Sequence, residues 1–320
     1  MAQPTNTYDS YDMNGIREDL SDIIHNISPD ETPFYSKCGK TTAKNTFHEW
    51  QTDALRSSAS NAHIEGDETT ADAMTATTRL GNYTQIFKNA VTVPDTDQGL
   101  DKAGRAREMG YQTLKVAKEQ KLDIEAALFD NNARVAGNST TARELAGVPS
   151  WVVTNSSIGA TGTAATGDGT DAHTPGTDRP FTQALFDTQM QNVWTSGGNP
   201  DCVYLSASHM DTALGFSGNN NQRSTIKAES EKVINHMDVY VTPWGTVQFI
   251  PSREIVTQPA GADADYVFIA QDDKWKVAVL RATKNTPLAK TGDSTKRQVV
   301  TELTLESCNE AASAAIYDLS

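Results

Sequence analysis

The sequence predicts an α+β fold, in which antiparallel strands pack with separate helices instead of alternating with them as in a wound parallel sheet. Three observations support this. Residues 46–55 and 83–93 carry aromatic and β-branched side chains typical of strands. Residues 101–131 contain no proline and repeat their apolar residues at helical spacing. Residues 239–242 and 246–250 alternate on either side of a Pro-Trp-Gly turn, which indicates a hairpin.

Composition excludes several classes of protein. The chain has 320 residues and a formal net charge of −14, and no window is rich in lysine and arginine. Because phosphate binding needs clustered positive charge, direct binding to nucleic acid is disfavoured. No stretch approaches the roughly 18–20 apolar residues of a membrane span. Residues 1–6 have neither the basic nor the apolar part of a secretion signal, so we expect the chain to stay in the compartment where it is made.

The N-terminal region, residues 1–45, predicts an extended arm with one short helix. Apolar residues recur at helical spacing over 15–27, and Pro29 and Pro33 end the pattern. The arm has too little apolar mass to form a core. We therefore expect it to lie on the body of its own chain or on a neighbouring subunit.

The next region, residues 46–95, predicts a projecting hairpin. Its strands, 46–55 and 83–93, are joined by a polar segment whose only large apolar residues are Ile64, Met74 and Leu80. Such a segment cannot bury itself. A long hairpin without a core is unusual in a monomer, so we expect a partner subunit to cover it.

The segment 101–131 predicts the longest helix, a rod of about 45 Å. Its apolar stripe predicts the buried face, interrupted by Lys121. The stripe consists of Ala103, Ala106, Gly110, Leu114, Ala117, Ile124 and Leu128.

Later elements are shorter. Residues 154–179 are almost wholly small and polar and predict a loop that forms a surface excursion or an inter-subunit contact. Residues 181–195 and 207–214 predict helices. Residues 202–206 and 298–305 predict strands.

Metal and disulfide sites are not expected. Cys38, Cys202 and Cys308 are odd in number and lack metal-ligand spacing, so free thiols in a reducing compartment are the favoured interpretation. The acidic residues beginning at Glu65, next to His63, do not follow a calcium-loop pattern. A solvated loop is favoured there.

Cofactor and catalytic motifs are equally weak. Gly39-Lys40-Thr41 resembles the end of a phosphate-binding loop, but Phe34 stands where the first glycine belongs. The segment 206–211 contains serine, histidine and aspartate, yet residues this close in sequence do not form a catalytic triad. We therefore expect no cofactor and no enzymatic activity.

Several blocks of sequence resemble a family of tailed-bacteriophage major capsid proteins with the Hong Kong 97-type fold. They occur in the order found in that family, and this collinearity carries the resemblance. The blocks are DLSDII at 19–24, EWQTD at 49–53, VYVT at 239–242, WGT at 244–246, WKVAVLR at 275–281, LAKTGDS at 288–294 and KRQVV at 296–300.

The resemblance implies a division of the chain into the parts of that fold. It implies a subunit of hexamers and pentamers in an icosahedral shell around DNA, found in the virion and assembled in the bacterial cytoplasm. The parts are an N-terminal arm at 1–45, an extended loop at 46–95, a peripheral domain at 96–179 with its spine helix at 101–131, an axial domain at 180–270, and a return to the peripheral domain at 271–320.

Two departures from other members of this fold lead to further expectations. Some members join lysine to asparagine between subunits, but the polar segment 56–82 contains no lysine. We expect no covalent crosslinks. Some members carry a fused scaffold before the arm, and this arm is too short for one. A separate scaffolding protein is expected, besides a portal and, as an optional partner, a decoration protein.

Five residues are candidates for the assembly interface. Phe34, Phe47 and Trp50 are expected to pack the arm and the hairpin root. Arg56 and Arg79 are expected to form salt bridges to acidic neighbours, with solvated side chains as the simpler alternative. Two other functions stay open: a tail-tube or decoration protein, which would not need the long helix, and a hydrolase whose motif is not evident.

Overall fold

The structure is a computed structural model that describes residues 31–56, 58–68, 71–100, 107–216, 239–255 and 265–320. The expected arm helix at 15–27 lies outside these residues. The helices are α1 (Pro33–Lys37), α2 (Asp95–Gly99), α3 (Glu108–Phe129), α4 (Gln183–Thr195) and α5 (Ala207–Leu214). The strands are β1 (Gly39–Thr42), β2 (Phe47–Thr52), β3 (Thr78–Tyr83), β4 (Gln85–Pro94), β5 (Ser156–Ser157), β6 (Cys202–Leu205), β7 (Val239–Thr242), β8 (Gly245–Pro251), β9 (Val267–Ala270), β10 (Trp275–Pro287), β11 (Ser294–Ser307) and β12 (Ala314–Ile316).

A four-stranded sheet in the order β1-β10-β11-β4 carries α3 on one face. β1 runs parallel to β10, and the other pairs are antiparallel. Successive side chains of a strand point to opposite faces. On β4, Val91 and Val93 are buried and cluster with Met109 of α3, whereas Lys88 and Ala90 are exposed. Along β4 the sheet therefore has one covered and one open face.

Helix α3 confirms the long helix over Glu108–Phe129. Ala103 and Ala106 of the expected apolar stripe lie outside the described residues, and the stripe is wrong at Gly110 and Leu114. Leu114 is 70% exposed, and Gly110 is also exposed. The buried face includes Gln120, whose amide donates to the Val299 carbonyl at 3.2 Å and accepts from the Thr301 hydroxyl at 3.0 Å. A polar residue satisfied in this way faces the sheet, and the apolar pattern alone does not show it.

A six-stranded sheet in the order β5-β12-β9-β6-β8-β7 forms the second half of the fold. Successive side chains of its central strands point to opposite faces and belong to two different hydrophobic clusters. Tyr204 and Phe268 face the cluster shared with α3 and β10. Val203 and Ile269 face a second cluster, built on Phe186 of α4. This sheet joins the two halves, and the mixture of helices with mainly antiparallel strands confirms the α+β class.

The hairpin is real, but its second strand was wrongly predicted. β2 pairs with β3, and Trp50 lies opposite Leu80. β4 instead pairs with β11. The chain changes sheets at Thr84, whose amide donates to the Thr46 carbonyl and whose hydroxyl donates to Glu302. The alternation of side chains along a segment identifies a strand but not the strand with which it pairs. Residues 83–93 are therefore expected to pair within the hairpin, although the partner of β4 is β11.

The loop 154–179 is confirmed as irregular, but it is not a free surface excursion. The Asp318 carboxylate accepts hydrogen bonds from the amides of Gly159 at 2.7 Å and Gly176 at 2.8 Å. His173 is buried and stacks on Tyr317 with ring centroids 4.2 Å apart. The C-terminal segment thus fastens the loop to the body through contacts distant in sequence.

The end of the arm is held by a buried carboxylate. The amides of Phe34 and Tyr35 donate to the two oxygens of Glu125 at 2.9 and 2.7 Å. Glu125 is fully buried on α3. Burial raises its pKa to about 7; the two amides oppose the rise, Glu254 adds to it and Lys40 opposes it.

We predict a pH dependence from this carboxylate. Its folded pKa of about 7 lies above its ordinary value of 4.5, so the unfolded state releases the proton first. Its contribution to stability is complete below pH 4.5 and is lost as the pH rises through 7. The unfolding free energy of the wild type, minus that of Glu125→Gln, should fall by about 2–3 kcal/mol between pH 5 and pH 8.

The measurement is denaturant unfolding of the unassembled subunit at several pH values. Glu119→Gln, on the exposed side of the same helix, is the matched control and should change stability by less than about 0.5 kcal/mol. A difference for Glu125→Gln that stays constant with pH would contradict the role given to this carboxylate.

Candidate assembly surfaces

The root of the β2–β3 hairpin is fixed to the body by aromatic contacts. The Trp50 ring lies 5.3 Å from that of Trp151, which is fully buried. Phe47 packs on Tyr83 across the two strands at 4.6 Å. A Cβ on Gly81 would lie 2.6 Å from the Phe47 ring, so a larger residue there would displace that ring. Phe47 and Trp50 therefore pack the hairpin root within one subunit, and a part for them in the assembly interface stays a prediction.

Polar contacts fix the same root. The side chain of Asn82, fully buried, donates to the carbonyls of Ala146 and Leu305 and accepts from the Ala146 amide. His48 lies 3.1 Å from Glu306 of β11. Burial would raise the pKa of Glu306, but hydrogen bonds from His48 and Cys308 prevail and hold it below its usual value. Sequence reasoning missed Asn82, because one asparagine inside a strand is a weak signal.

Beyond the root, the segment 53–77 is exposed at every position whose burial is described, and we call it the acidic loop. Its large apolar side chains have no cover from their own subunit. Leu55 is 100% exposed, Ile64 83% and Met74 93%. Covering such side chains in an assembly removes apolar surface from water and releases free energy.

The two candidate arginines lie on this hairpin in different settings. Arg79 on β3 forms a salt bridge with Glu49 on β2 of the same subunit. The pairing raises the pKa of the Arg79 guanidinium. Arg56 is exposed within the acidic loop. A salt bridge from either residue to a neighbouring subunit stays a prediction.

Phe34 anchors the arm to its own body. It is fully buried, and its ring lies 5.0 Å from that of Phe129 and 5.3 Å from that of Tyr204. The sequence left two positions open for the arm, on its own chain or on a neighbour. For the described end of the arm, the structure shows the first.

Residue types that suggested chemistry have structural roles here. The Ser206 hydroxyl accepts from the His209 amide and so caps α5, while the His209 ring lies 3.1 Å from Asp265. Cys38 and Cys202 are buried free thiols. Within the described ranges, no three His, Cys, Asp or Glu side chains are grouped to hold a metal ion, and no helix is long and apolar enough to cross a membrane.

Comparison with known proteins gives the family. The model of the SU10 major capsid protein family matches residues 3–320. A curated relative, the major capsid protein of Escherichia phage Phieco32, is 30% identical over 352 aligned residues, covering 99% of this chain and 98% of the relative.

Solved structures give the fold. The capsid of cyanophage A-1(L) has a TM-score of 0.66 at 13% identity, covering 95% of this chain and 97% of its own. The capsid of a native GTA particle has a TM-score of 0.62 at 10% identity, with 97% and 98% covered. A chain from Gordonia phage Cozz has a TM-score of 0.61 at 9% identity, with 99% and 97% covered. At these identities the likeness shows the Hong Kong 97-type fold alone.

The chain belongs to the SU10 major capsid protein family and is a structural subunit of a phage head, not an enzyme.

Proposed function

We propose that subunits of this protein join into hexamers and pentamers by interlocking projecting elements, without covalent bonds. The observation that carries the proposal is the acidic loop 53–77, which exposes Leu55, Ile64 and Met74 on a rigidly anchored root. Burying one such side chain is worth about 1.5–3 kcal/mol. Neighbouring subunits supply the cover that the subunit itself lacks.

Anchoring the root makes this burial effective. Ordering a flexible segment on binding consumes part of the free energy that its contacts release. Here Trp50, Phe47 and Asn82 already hold the two strands against the body before assembly. The described positions beyond Thr52 are exposed, so they are the part of the hairpin that a docking neighbour would cover.

The proposed parts of the subunit follow from the elements. The arm is 1–45, and the extended loop is the β2–β3 hairpin inside 46–95. The peripheral domain comprises 96–179 and 271–320, built on α3 and the four-stranded sheet. The axial domain is 180–270, with α4, α5 and most of the six-stranded sheet. β4 joins the peripheral sheet, and β5 and β12 join the axial sheet, so the domains share strands across the proposed boundaries.

The proposed partners follow from the resemblance and the charge. A separate scaffolding protein and a portal are needed to start and size a shell, and a decoration protein is an optional addition. With a formal net charge of −14, the subunit encloses DNA without binding it specifically. Assembly is proposed to take place in the bacterial cytoplasm.

We predict that the acidic loop is required for shells but not for folding. Replacing residues 54–76 with a short Gly-Ser turn keeps β2, β3 and the aromatic root. The variant should fold, as judged by circular dichroism, and should form no closed shells in negative-stain microscopy. Changing Leu55, Ile64 and Met74 together to serine keeps the loop length and should have the same effect. Normal shells from both variants would refute the proposal.

We also predict that the shell contains no covalent crosslinks. The acidic loop has no lysine to attack a neighbouring side chain. Assembled shells boiled in detergent with reductant should run as a single band at the subunit mass of 34.6 kDa. A ladder of multimers that resists reductant would contradict this prediction.

A further inference from the structure

A histidine and an aspartate lie face to face where the loop 154–179 meets the C-terminal segment. The Nε2 atom of His173 lies 3.6 Å from a carboxylate oxygen of Asp318, which comes shortly after β12. Both side chains are buried, at 3% and 0% exposed. The pair therefore joins two parts of one subunit that are distant in sequence.

The hydrogen bonds of the His173 ring decide how many protons it carries. Its Nδ1 atom lies 3.1 Å from the carbonyl oxygen of Thr163. A carbonyl only accepts hydrogen bonds, so Nδ1 carries a proton. In a neutral ring, Nε2 is then an acceptor that faces the Asp318 carboxylate, which is also an acceptor. Because Nε2 is buried without a hydrogen-bond partner, this arrangement is unfavourable.

A second proton on the ring removes this conflict. The imidazolium donates from Nδ1 and presents a positively charged Nε2–H group to Asp318. Both oxygens of Asp318 accept backbone amides, from Gly176 at 2.8 Å and from Gly159 at 2.7 Å. Such hydrogen bonds favour the ionised carboxylate. The geometry therefore places the proton on the histidine and makes the contact an ion pair.

The surroundings leave Asp318 as the charge that acts most directly on the ring. The titratable and charged side chains around the pair are Tyr317, Tyr266, Arg179 and Glu310. Burial raises the pKa of both tyrosines, so they stay neutral. Arg179 interacts with Asp318, and Glu310 with Tyr317. Among these groups, the Asp318 carboxylate is the one that faces Nε2.

The same carboxylate fixes the position of the loop. Asp318 has a φ of +57°, a left-handed conformation that few residues other than glycine adopt. Its carbonyl accepts from the Arg179 amide at 2.8 Å. The His173 backbone exchanges two hydrogen bonds with the Asn131 side chain, at 2.9 and 2.8 Å, and its ring stacks on Tyr317. Because both partners are held in place, a change of charge on the ring acts on the carboxylate that binds the loop.

We propose that His173 and Asp318 form a proton-dependent contact that fastens the loop 154–179 to the C-terminal segment. With the second proton bound, the imidazolium neutralises the buried carboxylate. When rising pH removes that proton, the carboxylate is left buried against a neutral acceptor, which is a costly arrangement. The amides of Gly159 and Gly176 then lose protection, and the loop is released. This contact acts within one subunit and does not depend on how neighbouring subunits dock.

Nitrogen-15 NMR of the unassembled subunit, labelled at its six histidines, tests the proton count. At a pH where the exposed His63 has lost its second proton, both ring nitrogens of His173 should still show the chemical shifts of protonated nitrogens. His173→Phe, which lacks the signals, identifies them. In Asp318→Asn the second proton should be lost at a lower pH than in the wild type. A wild-type His173 ring that loses this proton together with His63, or before it, would overturn the proposal.

Hydrogen exchange tests whether the proton holds the loop. After correction for the intrinsic rate, exchange at the amides of Gly159 and Gly176 should increase by about tenfold or more between pH 6 and pH 9. His173→Phe keeps a ring that can stack on Tyr317 but cannot bind a proton, so its exchange should be faster at pH 6 and should change less with pH. Because Glu125 is present in both chains, the difference between them isolates the pair.

The matched control is His63→Gln, which removes an exposed histidine and should keep the full pH response of the wild type. Equal pH responses of the wild type and His173→Phe would refute the contact, even if NMR finds a charged ring. A response that is lost in His63→Gln would assign it to the wrong histidine and refute the proposal as well. If Asp318→Asn does not fold, the wild-type spectra and the exchange of His173→Phe still decide between these outcomes.

Discussion

The packing of one aromatic side chain, Phe34, holds the parts of this subunit together. Its ring contacts Phe129 at the end of α3, Tyr204 of β6, Phe268 of β9 and Trp275 of β10, with centroid distances between 5.0 and 6.3 Å. These residues come from both sheets and from the long helix. The arm therefore fills the place where the proposed peripheral and axial domains meet. Aromatic burial on this scale dominates core energetics, so Phe34 ties the described end of the arm, residues 31–45, to both sheets.

The molecule has one part whose side chains are buried in this core and another part whose side chains are exposed to solvent. Trp50 extends the cluster to the hairpin root through Trp151, so the root belongs to the rigid body. Past the root, the acidic loop is exposed at its described positions, and so is the outward edge of β4 at Ile86, Lys88, Ala90 and Thr92. The hydrophobic core of the subunit is complete without a partner. The apolar side chains that are exposed on the loop would be buried only in an assembly.

Local sequence predicted local structure well. Helix α5 lies at 207–214 as expected, and β7 and β8 flank the expected turn, because spacing, turn residues and the Ser206 cap act within a few residues. Contacts between residues that are distant in sequence could not be predicted from local patterns. The inward position of Gln120 depends on Val299 and Thr301, and nothing in the helix itself signals it.

The same limit explains the candidate site. Phe47 and Trp50 were recognised because large aromatic residues at the start of a polar hairpin have few other uses. Asn82 and Asp318 were missed, since their roles depend on backbone groups more than sixty residues away in sequence. Exposed ion pairs are individually weak and screened over about 8 Å at physiological salt, so contacts between subunits that rest on such pairs form and break readily. A shell built from many reversible contacts on rigid subunits can release a misplaced neighbour before the lattice closes around it, and this favours interlocking surfaces over a few strong bonds.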